Sequence, residues 1–257
     1  MTNDNDLLLL ALSASSQNNG TYKVYIDSSG KKTLTPQTRN WEADDPSLRI
    51  CCHSKSGTVY GLLAGKNPKK VIFPNCSRAT GYKTSGAFYM AFEDCTSLTS
   101  VSFPVLKTAT GGDTFGAFYS AFEGCTSLTS VSFPVLTTAE GAYKSSGITL
   151  GAFDIAFQNC TSLTYVSFPA LTTATGNNNY GAFGGAFQNC TSLTSISFPS
   201  LTTVGTKTKA DVTFRSAFSN CSPSLKVHFK KSMKGKPGLD YKTMGLTSAD
   251  QVVFDLP

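Results

Sequence analysis

The amino-acid sequence predicts an α/β repeat solenoid, with a short strand and a short helix in each repeat and β-rich caps at the ends. Three observations predict it. One phrase recurs along the chain: GAFYMAFEDCTSLTSVSF at 86–103, GAFYSAFEGCTSLTSVSF at 116–133, GAFDIAFQNCTSLTYVSF at 151–168 and GAFGGAFQNCTSLTSISF at 181–198. A degenerate copy, TFRSAFSNCSPSLKVHF, follows at 213–229. Its anchor cysteines, Cys95, Cys125, Cys160, Cys190 and Cys221, are spaced 30, 35, 30 and 31 residues apart. Finally, 15 of the 18 phenylalanines occupy three fixed positions of the five copies. A period of this length marks a stacked architecture, because no single unit can bury its own apolar face.

Each element of the repeat has a physical reading. Phe88 and Phe92 are four residues apart, as are their counterparts in every copy, which predicts two rings on one face of a short helix. Asp94, Gly124, Asn159, Asn189 and Asn220 precede the anchor cysteines. These residue types tolerate the left-handed backbone that ends a helix. The strand follows as Leu98-x-x-Val101-x-Phe103, apolar inward and serine outward, and recurs at Leu128, Leu163 and Leu193. Pro104, Pro134, Pro169 and Pro199 then stop it, since proline cannot donate to a ladder. Leu106, Leu136, Leu171 and Leu201 turn back inward; VIFPNCSRAT at 71–80 is an earlier half-copy, with Cys76 at that inward position.

L-x-x-L-x-L is a leucine-rich-repeat strand signature. The fuller phrase, AF-x-x-C-T-S-L-T-S-V-x-F-P-x-L, closely resembles the BspA-like leucine-rich-repeat family over residues 71–229. That resemblance implies a surface protein that adheres to host or matrix proteins, and it implies no catalytic residues. The link between the inward Leu and the next GAF segment is longer here than in the short family repeat.

The chain divides accordingly. Residues 1–20 read as a docking or capping segment: MTNDNDLLLLALSASS carries Asp4 and Asp6 and no basic start, unlike a secretion signal. Residues 21–70 read as a β-rich N-terminal cap, with strands expected in TYKVYID, LRICC and TVYGLL. The solenoid, five helix–strand repeats plus one half-repeat, occupies 71–229. Residues 230–257 read as the C-terminal cap, closed by a strand at Val252, Val253 and Phe254.

Composition narrows the function. Charged residues are 15% of the chain and the net charge is +6, which argues against nucleic acid as a partner. No apolar run approaches the roughly 18 residues of a membrane helix. The eight cysteines are too regularly spaced for a disulfide scaffold and read as a buried, reduced ladder. Cys51-Cys52-His53 lacks a C-x-x-C partner, and only one other histidine, His228, is present, so no metal and no cofactor are expected. Two histidines and scattered acids form no nucleophile–base pattern, so the chain reads as non-enzymatic. Four Asn-Cys-Ser/Thr sequons exist, each with a cysteine expected to be buried beside its asparagine. The serines of the outward strand face read as a solubilising surface. Lys226, Lys230, Lys231, Lys234, Lys236 and Lys242 face only three acids after residue 220, which suits a solvated face or an anionic partner.

Variation concentrates between the inward Leu and the GAF segment: SRATGYKTS, KTATGGDTF, TTAEGAYKSSGITL, TTATGNNNY and TTVGTKTKADV. Insertions in a solenoid fall on one face, often the binding face. The partner-binding candidates there are Tyr82, Lys83, Phe115, Tyr143, Lys144, Asn178, Tyr180, Lys207 and Lys209. The expected function is binding or adhesion to a protein or glycan, on a cell surface or within a larger assembly. The alternatives are a fibre or decoration protein of a bacteriophage virion, and an intracellular scaffold.

Overall fold

The computed structural model describes residues 66–143, 150–176, 181–202 and 212–257, Leu63, and the backbone of six short strands before them. Those strands are β1 (Thr21–Lys23), β2 (Tyr25–Ile26), β3 (Lys32–Thr33), β4 (Trp41–Glu42), β5 (Cys52–His53) and β6 (Val59–Tyr60). Residues 1–20 lie outside the described residues.

Three ladders run through the described coils. The expected strand forms the first, as β7 (Lys70–Ile72), β9 (Ser100–Ser102), β11 (Ser130–Ser132) and β13 (Tyr165–Ser167). They pair parallel and in register, Val71 beside Val101 beside Val131 beside Val166. β1 adds to the open edge of β7, Tyr22 opposite Val71. At the other end β15 (Ser195–Phe198), β16 (Lys226–Lys230) and β17 (Val252–Leu256) form a second parallel sheet, Phe198 opposite Phe229 opposite Phe254.

The second ladder lies inside what the sequence suggests are variable loops. β8 (Arg78–Thr80), β10 (Thr108–Ala109), β12 (Thr138–Ala139) and β14 (Thr173–Ala174) pair parallel, and β4 adds to β8. Ala79, Ala109, Ala139 and Ala174 are buried, so the T-A-x-G start of each link is core rather than loop.

The third ladder corrects the expected helix. The GAF segments are successions of tight turns, not helices. Tyr89 N–H donates to Gly86 O, Ala91 N–H to Phe88 O and Cys95 N–H to Phe92 O, each three residues back. The intervening donors leave the coil: Phe88 N–H reaches Ala117 O at 2.6 Å, Met90 N–H reaches Tyr119 O at 2.9 Å and Phe92 N–H reaches Ala121 O at 2.8 Å. An α-helix would use all of these groups within its own chain. Stacking competes for them and takes every second one. Every second turn takes positive φ at its third position, as at Met90 (50°), Asp94 (55°), Ser120 (52°), Gly124 (71°), Ile155 (49°) and Asn159 (63°). The residues before the anchor cysteines are thus left-handed as expected, but they close turns. A four-residue turn repeat puts Phe88 and Phe92 on the inner side as a helix would, so the spacing alone could not distinguish the two.

The core is a set of side-chain columns. Phe88, Phe118, Phe153, Phe183 and Phe214 stack with centroids 4.9–5.0 Å apart. Phe92, Phe122, Phe157, Phe187 and Phe218 form a second column at 5.1–5.3 Å. A third runs from Phe73 through Phe103, Phe133 and Phe168 to Phe198 and Phe229. Rings of the first and third columns meet edge to face, as Phe88 and Phe103 do at 5.0 Å and 70°. Rings of those two columns therefore have both favourable aromatic geometries, worth about 0.5–1.5 kcal/mol per pair beyond burial. Val212 stands where the earlier copies begin with glycine. An added Cβ on Gly86, Gly116, Gly151 or Gly181 would come within 1.8, 1.9, 1.8 or 1.6 Å of the next coil's carbonyl oxygen. Glycine is required there by the closeness of the stack.

Candidate functional site

Beyond the buried alanine of the second ladder, each of the first three links leaves the core and forms a small hairpin. Tyr82 and Ser85 exchange both backbone hydrogen bonds, at 2.9 and 3.0 Å. Gly112 N–H donates to Phe115 O at 2.9 Å, and Ala142 N–H to Leu150 O at 3.0 Å. These hairpins stack like the coils beneath them. Asp113 N–H donates to Lys83 O, Phe115 N–H to Thr84 O, Tyr143 N–H to Gly112 O and Leu150 N–H to Thr114 O. The result is one edge of hydrogen-bonded loops rather than separate flexible ones. In sequence, the span from Ala142 to Leu150 is five residues longer than that from Gly112 to Phe115, which accounts for the spacing of 35 rather than 30.

The sequence candidates divide as follows. Tyr82 and Tyr143 are 40% and 63% exposed, and their backbones are held by the bonds above. Lys83 Nζ lies 5.1 Å from the centroid of the Tyr82 ring, a cation–π contact. Phe115 is half-buried instead: its ring packs on Tyr89 at 4.4 Å and Tyr119 at 4.9 Å, and those two rings stack at 5.8 Å. Phe115 therefore fastens the second hairpin to the turn ladder. Lys144, Asn178, Tyr180, Lys207 and Lys209 lie outside the described residues. Tyr89 and Tyr119 were not among the candidates. The signal for them was present in the identical GAFY openings of the first two copies.

The electrostatics beside this aromatic cluster come from the same column of outward turn positions. Asp154 follows Tyr89 and Tyr119 in that column and is 5% exposed, and burial pushes its carboxyl up to about 7, against a backbone hydrogen bond from Gly151. Burial first, and then the Asp154 and Glu123 carboxyls, push the Tyr119 phenol up to about 12. Ser120 donates to Glu123.

The anchor thiols point away from any surface chemistry. Cys125, Cys160, Cys190 and Cys221 each donate to a phenylalanine carbonyl of the preceding coil, at 2.9–3.1 Å. Cys95, Cys125, Cys160 and Cys190 are buried and Cys221 is half-buried; all are unbridged. Burial raises the Cys160 and Cys190 thiols well above their usual range, and those of Cys76 and Cys221 to about 12. The sequon asparagines are engaged too: Asn189 Nδ2 donates to Asn159 Oδ1 at 2.7 Å, and Asn220 Nδ2 to Asn189 Oδ1 at 2.9 Å. Among the described residues no cluster of three or more His, Cys, Asp and Glu could hold a metal, and no helix is long and apolar enough to cross a membrane.

Comparison with known proteins gives one match. The model of the BspA-type leucine-rich-repeat region fits in six copies, over residues 90–203 and 152–236, together more than half of the chain. No curated protein and no solved structure matches it.

Proposed function

The chain belongs to the BspA-type leucine-rich-repeat family, and from that premise we propose that it is a non-enzymatic adhesion module whose working surface is the stacked-loop edge. Repeats of this type suit protein binding or adhesion. The observation that carries the assignment of the edge is the pair of exposed tyrosines, Tyr82 and Tyr143, on backbone that is hydrogen-bonded from loop to loop. Large amphipathic rings on a rigid support bind with little ordering cost, and tyrosine is among the commonest residues to dominate an interface. Lys83 and Asp113 add charge of both signs beside the rings. A non-enzymatic role is supported by the state of the thiols, which are buried and hard to ionise. Placement at a cell surface or outside the cell follows from the adhesion reading.

The test is attachment of the labelled full chain to a panel of cells, matrix proteins and immobilised glycans. Tyr82→Ala with Tyr143→Ala should weaken attachment at least about tenfold and change the melting temperature little, because neither ring is part of the buried core. Ser130→Ala with Ser132→Ala, on the strand face, should do little. The reverse outcome would place the site on the strand face.

A further inference from the structure

The C-terminal coil carries a second, chemically different surface. Lys230, Lys231, Lys234 and Lys236 fall within seven residues, and the chain there is compact. A 3-10 helix spans Lys231–Met233, Lys234 N–H bonds back to Lys231 O, and Lys236 N–H to Met233 O. Across that turn, at about 2 Å of rise per residue, Lys231 and Lys234 stand roughly 6 Å apart along the chain. Met233 and Leu239 are buried and pin the segment to the core, so its lysines project from a fixed base.

Among the described residues these four lysines make no ion pair. The acids nearest in sequence are engaged elsewhere. Asp240 accepts from Thr243 N–H at 3.0 Å, and the Thr243 backbone and hydroxyl hold its carboxyl below the usual range. Asp255 pairs with His228 at 3.0 Å. Lys226 has spent its own ammonium on the Asp250 carbonyl at 2.8 Å. What remains is a dense set of point charges with no neutralising partner among the described residues.

We propose that this patch is a binding site for an acidic polysaccharide, one bearing sulfate or carboxylate groups, separate from the loop edge. The composition of the patch selects that class. Residues 226–257 contain no arginine to fork onto phosphates. The exposed large apolar side chains among the described residues, Tyr82, Val105, Tyr143 and Tyr165, all lie in earlier coils, so the patch offers no exposed ring to stack a base and no exposed apolar group to enter a bilayer. A linear polymer with charges on its outside needs only ammonium groups at a fixed spacing.

The experiment measures binding of the full chain to heparin at about 0.15 M salt. The triple variant Lys231→Gln/Lys234→Gln/Lys236→Gln should lose affinity at least about tenfold, with a shallower salt dependence. A control of equal charge, Lys69→Gln/Lys70→Gln/Lys107→Gln, should bind as the parent does. Desulfated heparin should bind the parent far more weakly. Equal losses in both triple variants would make the effect one of net charge and overturn the site. Failure to bind heparin, or tighter binding to a short duplex DNA or to vesicles of phosphatidylcholine with phosphatidylserine, would overturn the ligand class. The loop-edge tyrosine variant should bind heparin normally, which separates this site from the adhesion reading.

Discussion

At the scale of single residues, the ladder turns reactive side chains into packing. A thiolate is the reactive form of cysteine, and desolvation opposes it at Cys76, Cys160, Cys190 and Cys221. A thiol reagent applied to the native protein should therefore leave the anchor cysteines and Cys76 unlabelled, and label them once the chain is denatured. Disulfide-linked peptides joining anchor cysteines after a non-reducing digest would contradict the reduced ladder. Asp154 is the opposite case, a titrating group near neutrality. Its folded carboxyl holds a proton up to about pH 7, whereas an unfolded aspartate loses it near 3.9. The folded state thus binds more protons between those limits. Its contribution is fully present below about pH 4 and is lost as the pH rises through 7. Urea midpoints should fall between pH 5.5 and pH 7 by an amount corresponding to about 2 kcal/mol and level off above pH 7, and Asp154→Asn should flatten that dependence. An unchanged slope in the variant would assign the effect to another group.

At the scale of the element, the unit of stability is the column, and columns respond to a single change along their length. Phe157 is fully buried between Phe122 and Phe187, 5.1 and 5.2 Å away. Phe157→Ala should cost about 3–5 kcal/mol in denaturant unfolding, and Ser132→Ala on the outward face should cost less than about 0.5 kcal/mol. A loss at Ser132 comparable with that at Phe157 would contradict its place on the outward face. The turn ladder adds a backbone constraint that no apolar pattern reveals. Gly151→Ala would set a methyl 1.8 Å from Gly181 O, and relief requires separating a pair of coils joined by Phe153 N–H to Ala182 O at 2.7 Å. The loss of soluble folded protein, or a fall of several degrees or more in melting temperature, is the expected result.

At the scale of the whole molecule, the contacts are between neighbouring coils, so stability should behave as a sum along one axis. Deleting residues 125–159, one complete repeat from one anchor cysteine to the next, joins Gly124 to Cys160 and preserves every register. That variant should remain folded by circular dichroism, with a lower denaturation midpoint. Deleting half as much should not fold, because it brings turn positions against strand positions. Loss of folding in both variants would show that the stack is cooperative beyond its nearest neighbours. The two proposed surfaces also belong to this scale. The loop edge and the lysine patch sit on different coils, so a partner at one need not exclude a partner at the other.

By itself the sequence determined the period, the inward set and the first strand ladder. Leu98, Val101, Phe103 and Leu106 are buried as the alternation requires, because side-chain direction along a strand follows from residue spacing alone. Some of the candidate edge was also legible, since Tyr82, Lys83 and Tyr143 stand in the segments that vary between copies. Only the tertiary structure decided the rest. Whether Phe88-x-x-x-Phe92 winds as a helix or as turns depends on where alternate N–H groups go, and that depends on a carbonyl some 29 residues away. The T-A-x-G ladder is too short to show a period of its own. Phe115 looked like a ligand residue until its contact with Tyr89 and Tyr119 made it a fastener. In each case the deciding partner lies one coil away. Local pattern reports which groups are apolar, and stacking decides which donor meets which acceptor.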